Sequence, residues 1–327
     1  MKAGAWAVLA VSVGGAFLCG LVFGTKPLWP WHWISSAGVT EIHPAGILWH
    51  WRLPRAVTAF LVGACLGMAG LLLQGVFRNP LAEPYLLGSA AGASVGAAAS
   101  LLIPLPWPQT ATLPLFSFIG AWGASWVVLF LSGLGLARWS YGILLAGVAV
   151  AAILGAVRGL LLLTFSDTTN NLQMVMSWML GGVQTPHWNE CAVLAYLTAA
   201  TALLAATRCR GLDLLGFGEP MAAAMGLPVR SFIQSTVLLA ALATALAVAW
   251  GGLIGFIGLI IPHLCRWFAG CRHAVLLPAT LLSGGGAVVL LDAAARSALP
   301  PGEIPVGLIS ALIGGPFFLA VLWRQRM

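Results

Sequence analysis

The sequence predicts an all-α, polytopic membrane protein, a single transmembrane domain over residues 1–327 with ten transmembrane helices. Three observations carry that prediction. Of 327 residues, 60% are hydrophobic and only 7% charged, whereas a soluble globular chain carries about a quarter charged residues. The apolar residues gather in runs close to the ~20 residues that cross a ~30 Å hydrocarbon core. Forty glycines interrupt those runs at short intervals, a usage expected where membrane helices pack through small faces.

The runs fall at about 3–24, 53–76, 85–103, 112–136, 141–165, 189–207, 229–250, 254–268, 274–297 and 304–323. The first follows Lys2 in the manner of a signal peptide. Its length spans a bilayer, however, and no small-x-small cleavage site follows convincingly before the Trp-rich stretch, so it reads as a retained helix. Gly63 and Gly67 in the second run, Gly88, Gly92 and Gly96 in the third, and Gly251 with Gly255 before the eighth recur every fourth residue. Each set makes a smooth stripe for close helix approach and says nothing about cargo. The eighth run is short and carries Pro262, which reads as a broken or tilted segment whose backbone neighbouring helices re-satisfy. Between the fifth and sixth runs, Asp167 and Glu190 bracket NNLQMVMSWMLGG (170–182), a re-entrant or half helix. Met174, Met176, Trp178 and Met179 there read first as gap-filling packing residues, with metal or haem handling as the second reading.

Loop charge sets the orientation. With the N-terminus inside, the cytoplasmic side receives Lys2, Arg78, Arg138, Arg208, Arg210, Arg230, Arg266, Arg272, Arg324 and Arg326, and the outside only Lys26, Arg52, Arg55 and Arg296. This places both termini in the cytoplasm. It also accounts for the net charge of +7 without a nucleic-acid partner.

Two connections are long. Residues 25–52 hold Trp29, Trp31, Trp33, Trp49 and Trp51 with His32, His43 and His50; the tryptophans read as interfacial anchors. Residues 208–230 read RCRGLDLLGFGEPMAAAMGLPVR, in which Leu212, Leu214, Leu215, Met221, Ala222, Met225 and Leu227 sit among charges and turn residues. A merely solvated loop has no use for them, but short helices docking into another protein do. The six cysteines show no CxxC spacing, and with most inside or beside apolar runs they read as small hydrophobes, so no metal site is predicted.

Four blocks, WRLPRAVTAFLVGACLGMAGLLLQGVFRNPLAEPYLLGSAAGASVG (51–96), GEPMAAAMGLP (218–228), GGLIGFIGLIIPHLCRW (251–267) and LLDAAARSALPPGEIPVGLISALIGGPFFLAVL (290–322), then occur in one order. Together they resemble the type II ABC importer permeases of the iron-chelate and cobalamin uptake (FecCD) family, and cobalamin members are similar along nearly the whole chain. The resemblance implies a homodimer of ten-helix subunits in the inner membrane, two cytoplasmic ATPase subunits that bind ATP and magnesium, and a periplasmic substrate-binding protein. It implies no cofactor on this chain itself.

The resemblance also implies site residues. Arg52, Arg55 and Arg296 correspond to outer arginines that pair with acids on the binding protein, and charge pairing of that kind gives steering and register; anchoring at lipid headgroups is the other reading. Gly218 and Glu219 head the segment that couples to the ATPase, with Glu219, Met221, Met225 and Leu227 as its contacts. Asn79, Pro80 and Leu81, then Ser140 and Tyr141, correspond to the cytoplasmic gate, where Tyr141 is bulkier than the family's serine. Arg158 departs from the cobalamin pattern. An arginine within a membrane helix costs about 2.5–3.5 kcal/mol on insertion scales, so it faces protein or water. Lining the translocation path, it favours an anionic cargo; its position toward the outer third of its run also allows snorkelling.

The expected function is therefore inward transport of a metal chelate, a ferric siderophore first and haem or cobalamin next. ATP chemistry within this chain is excluded, because a P-loop needs GxxxxGK[ST] and Lys2 and Lys26 are the only lysines. An ion-coupled secondary transporter is the alternative, but it calls for ionisable residues at the membrane midplane; Asp292 lies toward the end of its run, spaced i,i+4 from Arg296. A membrane enzyme is weaker still, with no HExxH or GxSxG.

Overall fold

A computed structural model describes residues 3–29, 44–104, 106–133, 139–165 and 169–324. Among them are helices and no strand: α1 (Ala3–Val22), α2 (Leu53–Phe77), α3 (Ser89–Leu102), α4 (Gln109–Gly133), α5 (Trp139–Phe165), α6 (Thr169–Met179), α7 (Trp188–Leu215), α8 (Glu219–Ala224), α9 (Val229–Gly251), α10 (Ile257–Ala269), α11 (His273–Ser297) and α12 (Val306–Arg324). Trp31, Trp33, His32, His43 and Asp167 lie outside the described residues.

Each of the ten predicted runs coincides with a helix, but not with ten helices of spanning length. Among the described residues, seven are long and apolar enough to cross a membrane, while Ser89–Leu102, Ile257–Ala269 and Val306–Val321 are shorter apolar helices. The third run, read as one helix over 85–103, is split. Pro84–Leu87 form a 3-10 turn and Gly88 takes φ +72°, so α3 starts only at Ser89. A left-handed residue ends a helix, and glycine adopts that conformation without a Cβ clash. Gly88 is thus a break, not part of the stripe.

Burial identifies the centre of the bundle. The most apolar window of α2 is 83% buried and that of α9 78%, against 22% for α1 and α5. Helix α2 is ringed by α11, α9, α7 and α10. Its small residues make this possible: a Cβ at Gly63 would collide with the Gly284 carbonyl of α11, and one at Gly92 of α3 with the Gly120 carbonyl of α4. Such backbone contact supplies dispersion where lipid removes the hydrophobic drive for helix association.

The break expected from the sequence at Pro262 does not occur: helix α10 runs through it, and the bond the proline cannot make is replaced from a neighbouring helix. Pro262 has no N–H to offer the carbonyl of Gly258 four residues earlier. Gln74 of α2 donates its Nε2–H to Gly258 O and Leu259 O, both at 3.2 Å, and Arg266 Nη1 donates to Gln74 Oε1 at 2.6 Å. A buried amide thus replaces the missing helical bond.

Candidate functional site

The N-terminal end of α2 and the C-terminal ends of α1 and α11 meet at one end of the bundle, where an ionic cluster forms. Asp292 and Arg296 are one turn apart on α11, and Arg296 Nε donates to Asp292 Oδ2 at 2.9 Å. Arg55 donates its Nε–H to Asp292 Oδ1 at 3.0 Å and reaches Glu303 through Nη2 at 2.8 Å. Arg296 Nη2 donates to Gly20 O at 2.7 Å. Arg52 Nη1 donates to Leu21 O and Val22 O at 2.6 and 2.7 Å, and its Nη2 to Lys26 O. Two guanidinium groups therefore satisfy carbonyls at or beside the end of α1, where cations also favour the helix dipole.

The structure brings the three predicted arginines together, and it commits them internally. Arg52 is 8% exposed, Arg296 5% and Asp292 1%. Only the Arg55–Glu303 pair reaches solvent, with side chains 16% and 43% exposed. Arg55 and Glu303 border a cavity of ≈ 380 Å³ with Met174, Ser177, Trp178 and Gln184, and one of ≈ 300 Å³ with Arg52 and Arg296. Sequence reasoning missed Glu303, which sits in a Pro-rich connection with no periodicity to mark it, and it left Asp292 as a local partner of Arg296 alone.

At the opposite end, α2 stops at Arg78 in a left-handed conformation, φ 49°. Asn79 then folds the chain over, its Oδ1 accepting from Leu81 N–H at 2.9 Å and its carbonyl from Ala82 N–H at 3.1 Å, a turn for which asparagine is suited. Glu83 Oε1 accepts from Phe256 N–H at 3.0 Å. Burial pushes the Glu83 carboxyl above the ordinary carboxylate range, opposed by that N–H. Tyr85 Oη accepts from Ile254 N–H at 3.0 Å and donates to Ile254 O at 3.1 Å. Ser140 and Tyr141 lie in the first turn of α5, and their side chains lie outside the described residues.

Beside this loop is the predicted coupling segment. Helix α7 runs to Leu215, eight residues beyond its apolar run, and Leu212 and Leu215 are core residues 1% exposed, so they are not docking residues. Gly218 takes φ 102° and turns the chain into α8, which Glu219 begins. Met221 and Met225 are each 51% exposed, whereas Leu227 packs against the core. Phe217, which the sequence reading passed over, is 72% exposed. The two regions touch: Arg78 Nη2 lies 4.0 Å from Glu219 Oε1, both half-exposed. Asp213, near the end of α7, accepts from the backbone N–H of His273 at 3.0 Å and stands 2.6 Å from its Nδ1, tying α7 to the start of α11.

Arg158 of α5 points toward α3, its Nη1 at 3.4 Å from Ser94 Oγ, while its Nε has no partner among the described residues. Of the α6 residues, Trp178 is buried, but Met174 and Met176 are exposed at 42% and 45% within this chain. No cluster of three His, Cys, Asp or Glu side chains that could hold a metal occurs among the described residues.

The model of the FecCD transport family matches residues 10–324. The chain belongs to the FecCD transport family. Among similar proteins of this family are the hemin transport system permease HmuU of Yersinia pestis, 38% identical over 85% of each chain, and the Fe(3+) dicitrate transport system permease FecD of Escherichia coli, 34% identical over 97% of this chain and 98% of that one. The vitamin B12 import system permease BtuC of Klebsiella pneumoniae is 34% identical over 94% and 90%. A solved structure of a metal-chelate type ABC transporter in an inward-facing conformation superimposes with a TM-score of 0.84 at 28% identity, covering 97% of both chains. This FecCD-family chain is a multi-pass membrane protein of the metal-chelate ABC importer permease type.

Proposed function

We propose that this FecCD-family permease moves an anionic iron chelate, a ferric siderophore or haem, from the periplasm to the cytoplasm of a bacterial cell. Two copies form the pathway, two ATPase subunits dock on the exposed surface around Phe217, Met221 and Met225, and a binding protein delivers cargo at the Arg55–Glu303 end. Both termini then lie in the cytoplasm. The observation that carries this reading is the contact between the loop after α2 and the head of α8 at Arg78–Glu219. It supports a mechanism in which the segment touched by the ATPase abuts the loop that closes the path.

Each side chain has a role in that scheme. Asn79, Pro80 and Leu81 form the cytoplasmic gate, together with Ser140 and Tyr141. Gly218 and Glu219 set the direction of the coupling helix, and Leu227 fixes its far end to the core. Because Arg52 and Arg296 are internally bonded, Arg55 is the group left to meet the binding protein, with Asp292 and Glu303 holding it in place. Arg158 lines the path beside α3 and favours negative charge over a neutral corrinoid. Reconstituted with its ATPase and binding protein and offered haemin, a ferric siderophore and cobalamin in turn, the permease transports an anionic iron chelate, and Arg158→Ala slows it about ten-fold, the effect of roughly 1.4 kcal/mol in a barrier. Preferential cobalamin uptake, indifferent to Arg158→Ala, contradicts the cargo assignment.

A further inference from the structure

We propose that Glu83 and Tyr85 are positioning residues that brace the gate loop by fastening it to the non-helical backbone ahead of α10. The proposal rests on the reading of Asn79, Pro80 and Leu81 as the cytoplasmic gate. Immediately after those residues, three consecutive side chains meet the start of α10. Glu83 Oε1 accepts from Phe256 N–H at 3.0 Å. Pro84 packs on Gly258, where a Cβ would come within 2.6 Å of the ring. Tyr85 Oη bonds both the N–H and the carbonyl of Ile254.

The physical need for these bonds lies in the break itself. Between Gly251 and Ile257 the chain leaves helical geometry, and the N–H groups of Ile254 and Phe256 are bonded by side chains from another part of the chain instead of by a helical carbonyl. Phe256, at φ 67°, precedes α10 and provides no side-chain cap. The acceptor arrives instead from 173 residues earlier in the chain. Satisfying that backbone and fastening the loop are therefore the same act, and an N-cap from the residue itself would satisfy the backbone alone.

The non-helical segment is in turn wedged against α12 and the end of α6. The Phe256 ring occupies the notch left by Gly314 of α12, the Gly307 site at the start of α12 has no room for a Cβ beside Leu253 O, and Gly252 lies against Trp178 O. On its other side the gate loop meets the coupling helix at Arg78–Glu219. Displacement of α12 or of the segment following α6 thus reaches the gate through Glu83 and Tyr85. Closed packing of this kind switches between discrete arrangements more readily than it deforms.

The test uses proteoliposomes holding the complete permease–ATPase complex, loaded with calcein, a polyanionic dye, and followed without ATP. Glu83→Ala and Tyr85→Phe raise dye release at least about ten-fold, the shift that loss of a buried hydrogen bond brings to a two-state equilibrium. Glu83→Gln keeps the acceptor and releases dye at the wild-type rate. Leu81→Ala reports on the gate separately. If Leu81→Ala leaks while Glu83→Ala and Tyr85→Phe do not, the brace is overturned and the gate stands. If none leaks, the gate reading fails and the brace with it. Equal leakage by Glu83→Gln and Glu83→Ala also overturns the brace. Tyr85→Phe keeps the ring and its packing, so it decides the matter where Glu83→Ala does not assemble.

Discussion

Arg55 and Asp292, 237 positions apart in sequence, stand with Nη2 and Oδ1 2.9 Å from each other and join the first turn of α2 to the last turns of α11. Asp292 is 1% exposed and also holds Arg296. One carboxylate thus compensates two arginines at the end of the bundle assigned to the binding protein.

Asp292→Ala leaves the buried Arg296 without its carboxylate and Arg55 with Glu303 alone. Removing one partner of a buried charge cluster costs about 3–5 kcal/mol, so thermal unfolding of the detergent-solubilised variant falls markedly below wild type. Asp292→Asn retains the acceptor oxygen and loses less. An unchanged midpoint for Asp292→Ala shows that the cluster contributes no stability.

Glu303→Gln separates stability from docking. The Glu303 side chain is 43% exposed, and exposed ion pairs contribute at most about 1 kcal/mol, so the midpoint hardly moves. Freed of Glu303 but still held by Asp292, Arg55 binds an acidic partner more tightly, and the gain shrinks as salt rises. Titration of the binding protein onto the reconstituted complex at two salt concentrations measures this. Weaker binding by Glu303→Gln contradicts the assignment of Arg55.

Gly63→Leu forces a side chain into the Gly284 carbonyl of α11. Overpacking usually costs about 1–3 kcal/mol, and here the obstacle is backbone that cannot swing aside. The expected outcome is loss of folded protein by size-exclusion chromatography, whereas Gly123→Leu, facing open space, elutes as wild type.

Phe217→Ser and Met221→Ser remove exposed apolar surface at the coupling helix without touching the core. They lower the fraction of ATPase subunit that co-purifies, leaving the midpoint of the isolated permease unchanged. Full recovery of the ATPase with both variants removes this surface from the interface.

The helices were legible because apolar runs of membrane length report themselves, but the proline in α10 was misleading, since the helix continues through Pro262 and the break lies ahead of it at 252–256. Their ends were less so. Gly88 looks like a member of a packing stripe until its backbone is seen in the left-handed region, and Leu212 and Leu215 look like docking residues until α7 is seen to continue beneath them. At the sites, the family resemblance singled out Arg52, Arg55 and Arg296, but not that two of them turn inward. That depends on carbonyls of α1, which no side-chain pattern encodes. Glu83, Tyr85 and Asp213 were invisible for a similar reason, because their partners are main-chain groups brought near only by the fold.

In the proposed function, transport through this permease is driven by ATP hydrolysed on a separate subunit. Uptake of haemin and of a ferric siderophore into proteoliposomes, with and without the ATPase subunit and with an imposed ion gradient, tests it most directly. The account predicts accumulation only with the ATPase and internal ATP, unaffected by collapsing the gradient. Accumulation driven by the gradient in vesicles lacking the ATPase contradicts it.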